Sequence, residues 1–220
     1  MSKKVIVWGC GQMAEVAYFY LTYDSPYEVV AFCMDREYIQ CSTFHERPVI
    51  AFEDIESLYP PDEYELCFLI SYSHMNDIRT EKYNMAKKKG YTFISYVSSK
   101  ASYYETPIGE NTFIMENNVI QPYTVIGNNV IMWSGNHLGH HSHIEDNCFI
   151  ASHVVISGST VIGQNSFLGV NSTIRDNIKV GKYNLIGAGA VILQNTEDYD
   201  VFTVEKAVKI KKKSIDIKHI

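Results

Sequence analysis

From Ile108 onward an aliphatic residue returns at every sixth position without interruption: Ile108, Ile114, Ile120, Ile126, Met132, Leu138, Ile144, Ile150, Ile156, Ile162, Leu168, Ile174, Val180, Ile186 and Ile192. A helix repeats its apolar face every ~3.6 residues and a strand every two, so neither yields a strict six. A parallel β-helix that turns a corner after each short strand does. Four residues after each aliphatic runs a second, mostly small series: Thr112, Asn118, Thr124, Val130, Asn136, Ser142, Cys148, Val154, Thr160, Ser166, Ser172, Ile178, Asn184 and Ala190. Large and small in alternation suit the narrow interior of a triangular prism. Three hexapeptides make one coil, residues 18 apart stack in neighbouring coils, and the repeats predict about five coils. Glycine follows the aliphatic at Gly109, Gly127, Gly139, Gly163, Gly169, Gly181 and Gly187, where the absence of Cβ is expected to ease a tight corner.

The first hundred residues follow a different pattern. Val5–Trp8 reads as a buried strand, followed at once by Gly9-Cys10-Gly11-Gln12-Met13-Ala14 and a helical stretch to about Leu21. This is a GxGxxA turn in the strand–turn–helix setting of a phosphate-binding fingerprint, where free N–H groups and the helix dipole favour an anion. A second strand, Val29–Met34, ends at Asp35, placed to meet a ribose hydroxyl, with Arg36 beside it. Leu66–Ile70 and Thr92–Val97 read as further strands and Met75–Lys89 as a polar helix, an alternation that predicts an α/β domain with a parallel sheet. The predicted organisation is residues 1–100, a Rossmann-like nucleotide-binding domain; 101–197, an all-β helix; and 198–220, a tail. About a hundred residues suffice for one mononucleotide-binding half and are short for a full dinucleotide fold. Gly9, Gly11, Gln12, Asp35 and Arg36 are the candidate nucleotide contacts. The plainer alternative is that the glycines permit tight strand–helix packing and Asp35 ends a strand.

Composition narrows the class. With 220 residues, 46% of them hydrophobic, the chain can bury two modest cores. A net charge of −6 argues against nucleic acid as the partner, since phosphate binding needs clustered Lys and Arg. The one basic run, Lys209–Lys213, reads as a solvated tail or a rim helix of a trimer. Five cysteines, an odd number without CxxC spacing, read as reduced, buried thiols of a cytoplasmic protein. The apolar run Val5–Trp8 is too short for a signal peptide, and no stretch suggests a membrane span.

His137, His140, His141, His143 and His153 fall within seventeen residues of the repeat. Interior positions are the first and fifth of each hexapeptide; these histidines occupy the third, fourth and sixth, so none belongs to the core. An imidazole on the prism wall can act as a general base near neutral pH. Gly158 lies 18 residues beyond His140, which stacks a bare backbone amide beside it, suited to stabilising an oxyanion.

A short nucleotide-binding domain with Gly9-x-Gly11, followed by coils holding Gly139-His140-His141-Ser142-His143-Ile144-Glu145-Asp146, resembles the NeuD/PglD type of bacterial sugar acyltransferases. The resemblance spans nearly the whole chain. It implies a left-handed β-helix homotrimer that uses acetyl-CoA, without a metal, to N-acetylate a nucleotide-linked amino sugar in cell-surface glycan (lipopolysaccharide or capsule) biosynthesis. It also implies His140 as the base, with His141 the second choice, and Gly158, Val170 and Ala188 along the acetyl-CoA wall. Two departures stand out: Gly139 replaces the family's usual Asn, and His141 stands where an acidic residue orients the base, leaving that role to Glu145, Asp146, a backbone carbonyl or a neighbouring subunit. The residues after the coils lack the usual Gly-x-Pro-Ala stretch. Alternatives left open are sugar O-acetylation of a sialic-acid-like acceptor, a zinc site of the carbonic-anhydrase kind using a pair such as His137 and His141, and a non-catalytic sugar-nucleotide scaffold.

Overall fold

The computed structural model describes residues 3–209, 211 and 213–216. The N-terminal α/β domain contains β1 (Lys4–Trp8), α1 (Gln12–Tyr23), β2 (Glu28–Met34), β3 (Thr43–Phe44), β4 (Arg47–Ala51), α2 (Ile55–Leu58), β5 (Glu65–Cys67) and α3 (Asp77–Lys88). Its sheet order is β3-β4-β2-β1-β5, parallel throughout except for the β3–β4 hairpin at one edge. The hairpin and α2 are additions to the sequence reading. The expected Leu66–Ile70 strand pairs only through Cys67, and the expected Thr92–Val97 strand is shared: Phe93 bridges Leu66, whereas Tyr96–Val97 pairs with Phe113–Ile114 of the next sheet.

That next sheet is the first face of a triangular prism. Fourteen two-residue strands from Phe113–Ile114 to Val191–Ile192 wind around three parallel faces. The eighteen-residue register holds on each. Ile114, Met132, Ile150, Leu168 and Ile186 stack on the first face; Ile120, Leu138, Ile156, Ile174 and Ile192 on the second; Ile126, Ile144, Ile162 and Val180 on the third. These side chains form one continuous buried core, and the small fifth-position series is buried with them, from Thr112 to Ala190.

The corners differ from expectation. The left-handed backbone falls on the fourth residue of each hexapeptide, with φ of +51° at Asn111, +56° at Asn129, +59° at His141 and +61° at Asn165. Asparagine dominates there because its short amide tolerates that conformation. The glycines after the aliphatics keep ordinary φ and answer to crowding instead: a Cβ on Gly163 would lie 2.6 Å from the backbone of Gly181 in the next coil. Close stacking of coils, not turn conformation, selects them.

The outward residues of the first face, Phe113, Ile131, Phe149 and Phe167, pack against the N-terminal domain. The corner between the third and first faces carries a ladder of amides. Asn111 donates to Asn129 (2.7 Å), Asn129 to Asn147 (2.8 Å) and Asn147 to Asn165 (3.2 Å). Onto this corner α3 sets Arg79, fully buried and, among the described residues, without a carboxylate partner. Its guanidinium donates to the carbonyls of Asn147 (2.7 Å), Ile70 (3.1 Å), Asn129 and Cys148 (both 3.2 Å) and to the Asn76 side chain (3.1 Å). A buried cation is tolerable only with donors so fully used. The two domains are therefore bolted along the first face and the corner preceding it.

Cys33, Cys67 and Cys148 are buried as expected, but Cys10 is half-buried and Cys41 exposed. No helix among the described residues is long and apolar enough to cross a membrane. Residues 203–209 carry no regular secondary structure and are exposed. Ile210 and Lys212 of the basic run lie outside the described residues.

Candidate active site

The prism has three edges, and each predicted site residue falls on a definite one. His140, His141 and Gly158 lie on the edge between the second and third faces. Val170 and Ala188 lie on the edge between the first and second. In one chain these two groups do not meet.

His140 and His141 both project into solvent, as do His143 and His153, and His137 is half-buried; none enters the core. The stacking rule places the His140 ring over Gly158: a Cβ there would sit 2.8 Å from Cε1 and 3.0 Å from Nε2. The glycine is thus a space that the imidazole fills. Among the described residues the N–H groups of Gly158, Val170 and Ala188 donate to no protein acceptor, and Val170 is 44% exposed.

Orientation of the base comes from an unexpected source. Glu145 accepts from the Gln164 N–H (3.0 Å) and Asp146 from the Asn128 N–H (2.7 Å), so both carboxylates cap the adjacent corner rather than serving His140. Instead, Nδ1 of His140 lies 3.0 Å from Nδ1 of His141. One ring must donate and the other accept. With His140 as donor, its Nε2 keeps a lone pair on the side facing Gly158. The His140 backbone N–H donates to Oε1 of Gln121 (2.9 Å), and the Tyr123 ring packs against His141, tilted by 35° with centroids 4.8 Å apart. Sequence reasoning passed over Gln121 and Tyr123; counting one coil back from His141 finds Tyr123, whereas Gln121 lies nineteen residues before His140 and escapes the count.

At the other candidate site, Gly9 has φ +86° and its N–H donates to the Cys33 carbonyl (2.7 Å), while Gly11 caps α1 and is exposed with Gln12. Asp35 is not free. It pairs with Lys82 of α3 at 2.6 Å, and both side chains are largely covered, 18% and 14% exposed. Arg36 pairs with Asp54 at 2.7 Å. Asp35, Arg36, Glu53, Ile78 and Lys82 line a depression of about 540 Å³ at the carboxyl end of β2. Among the described residues no three His, Cys, Asp or Glu side chains gather as a metal-binding group.

Residues 123–158 and 159–194 match the family described as bacterial transferase hexapeptide (six repeats). Residues 1–93 match a second family, described as C2185-like, N-terminal. The hexapeptide prism and the domain ahead of it together share the fold of solved sugar acetyltransferases. The acetyltransferase domain of PglB from Neisseria gonorrhoeae, also solved with acetyl coenzyme A, is 23% identical, with 91% of this chain and 96% of that one covered at a TM-score of 0.80. A histidine-to-asparagine variant of perosamine N-acetyltransferase from Caulobacter crescentus, in complex with CoA and GDP-perosamine, is 20% identical over 90% and 92% at 0.81. WeeI from Acinetobacter baumannii is 18% identical over 91% and 96% at 0.71. Among curated proteins none matches this sequence. These likenesses make the hexapeptide prism a left-handed β-helix.

Proposed function

We propose that this protein transfers the acetyl group of acetyl-CoA to the amine of a nucleotide-linked sugar, with His140 as general base and in a homotrimer. The observation that carries the reading is the His140 ring resting on Gly158, a residue whose absent side chain makes room and whose N–H is unclaimed. The sugar nitrogen attacks the thioester carbonyl, the N–C bond forms, and the Nε2 of His140 takes the proton. As the C–S bond breaks, that proton passes to the departing thiolate. The Gly158 N–H stabilises the oxyanion between these steps. His141 holds the base through Nδ1, as a positioning residue in place of a carboxylate. The bound molecules named for the structural neighbours, acetyl coenzyme A, CoA and GDP-perosamine, support the same chemistry.

The placement of the edges supports the trimer. The N-terminal domain covers the first face, and the edge bearing His140 is the one opposite that face. A ligand held by a chain's own α/β domain therefore lies on the side of the prism away from that chain's own His140. A three-fold arrangement that sets the Val170 and Ala188 edge of one prism against the His140 edge of the next joins the split wall and brings a neighbour's α/β domain to the base. The parallel order β4-β2-β1-β5 supports a Rossmann-like, mononucleotide-binding role for that domain. Gly9, Gly11, Gln12, Asp35 and Arg36 lie at or just past the carboxyl ends of β1 and β2, where such sheets bind ligands. Lys82, tied to Asp35, supplies a cation for the phosphates. A cytoplasmic setting, where acetyl-CoA and sugar nucleotides are made, accords with this chemistry.

The test is thiol release from acetyl-CoA across UDP-, dTDP-, GDP- and CMP-linked amino sugars, comparing wild type with His140→Ala. Release by wild type that His140→Ala abolishes, with sugar-nucleotide binding retained, is the expected result. Binding of a sugar nucleotide with no release by either protein would leave a scaffold.

A further inference from the structure

The edge that carries His140 has two unequal sides. Tyr104, Pro122, His140 and Gly158 form one column, 18 residues apart at each step. Beyond the imidazole pair toward the C-terminus the column is bare at Gly158, where the thioester is placed. Toward the N-terminus lies a depression of about 700 Å³ lined by Tyr104, Glu105, Pro107, Pro122, Tyr123 and Val125. The proposed chemistry fills only the first side. It assigns nothing to the second.

Three observations give the depression a chemical character. Within one chain Tyr104 and Tyr123 are 70% and 77% exposed, two large rings around one hollow. Tyr123 holds a left-handed corner at φ +63°, a position where asparagine is the commonest residue and where a bulky one costs about 1 kcal/mol. The comparable Tyr183 is explained by its own contacts, a stack on Tyr199 and a hydrogen bond to Asp77. Among the described residues Tyr123 has only the His141 ring as a partner. Finally, Glu105 has no hydrogen-bond or ion-pair partner among the described residues. Flat aromatic faces together with an unpaired carboxylate match a ring that is apolar on its C–H face and cationic at one substituent.

We infer that this depression is the acceptor site and that it selects a pyranose bearing a protonated amine over one bearing a hydroxyl, with Tyr104 and Tyr123 against the sugar ring and Glu105 on the ammonium. The inference rests on the acyl-transfer reading for its chemistry. It adds the residues that choose nitrogen over oxygen. The bound ammonium loses one proton to water before reaction, and the second goes to His140 as nitrogen attacks, so the products are the amide, the free thiol and one solvent proton.

The probes are glucosamine and glucose, which differ in one substituent, titrated by saturation-transfer NMR against wild type, Glu105→Gln and Tyr123→Asn, with acetyl-CoA affinity measured alongside. Asparagine is used at position 123 because it keeps the left-handed corner. Wild type should prefer glucosamine by about fivefold, the worth of one exposed charge pair. Glu105→Gln should erase that preference, and Tyr123→Asn should weaken both sugars. Acetyl-CoA affinity should stay unchanged in both variants. Equal binding of the two sugars by wild type, no binding at 50-fold excess over protein, or a preference untouched by Glu105→Gln would overturn the inference. If the preference appears and acetyl-CoA does not bind, the amino-sugar site stands and the transfer reading falls.

Discussion

The Nδ1 atoms of His140 and His141 face each other at 3.0 Å. A carboxylate in the same place could only accept; an imidazole can accept in one tautomer and donate in the other. Removing the ring without disturbing the corner calls for His141→Gly, since the backbone there is left-handed. We expect this variant to lose about tenfold in kcat, with acetyl-CoA KM unchanged, and His141→Asp to recover most of it, because the aspartate restores an acceptor and tolerates the same φ. His140→Ala should cost roughly 100- to 10,000-fold. Single-turnover rates separate the two effects, and equal losses for His141→Gly and His141→Asp would exclude a positioning role.

Gly158 offers a cleaner probe of geometry. A methyl group there meets Cε1 and Nε2 of His140 at about 3 Å and must displace the ring. Gly158→Ala should therefore lower kcat about 100-fold, the usual effect of a misplacement near 1 Å. Because the crowded neighbour is an exposed side chain rather than the next coil, the melting temperature should move by no more than about 2 °C. A large fall in Tm would show that the glycine serves the fold.

Two other glycines distinguish crowding from conformation. Gly163→Ala drives a Cβ to 2.6 Å from the Gly181 backbone, whereas Gly189 has φ +73° and nothing within 4 Å of a new Cβ. The first should cost about 2–3 kcal/mol through overpacking and the second about 1 kcal/mol through strain. Urea denaturation of both variants checks the order. A costlier Gly189→Ala would mean that turn conformation, not coil stacking, governs the corners.

Acid should loosen the junction between the domains at a specific point. Burial alone would raise the Asp24 carboxyl, but hydrogen bonds from Ser99, Tyr96 and Ser98 outweigh it and hold the pKa down at about 2, against 3.8 unperturbed. The Tyr96 hydroxyl lies 2.5 Å away, that of Ser98 2.8 Å and the Ser99 N–H 3.0 Å. A depressed carboxyl binds more protons unfolded than folded, so its contribution is complete above the unfolded pKa and disappears as pH falls through the folded one. Asp24→Asn should thus be less stable than wild type at pH 7, with the gap closing between about pH 4 and pH 2 in thermal melts.

Much of the prism was legible because its period is set by backbone geometry and leaves a mark at every sixth residue. From that mark the inward series, the outward histidines and the meeting of His140 with Gly158 all follow. The α/β order followed from buried strands separated by helical stretches, but the β3–β4 hairpin did not, because its strands are short and half-buried and carry no clean alternation. The asparagines at the corners were in plain view and went unread, since φ is not a property of composition. Glu145 and Asp146 were two of the alternatives for orienting His140, but the corner folds them toward Gln164 and Asn128. Arg79 looked like one more charge on a polar helix. Its burial depends on the facing carbonyls of another domain, which no local pattern reveals.

The stacking of equal rungs has a consequence for how such a molecule can change length. Losing six residues upstream of His140 would keep every inward aliphatic inward yet swing all that follows by a third of a turn, carrying the imidazole from the side away from its own α/β domain to a side next to it. Losing or gaining eighteen would leave each corner facing the same way and only shorten or lengthen the spire beneath it. Insertions counted in whole coils can therefore adjust the reach available to a long thioester, while those counted in single hexapeptides reassign which neighbour the chemistry faces.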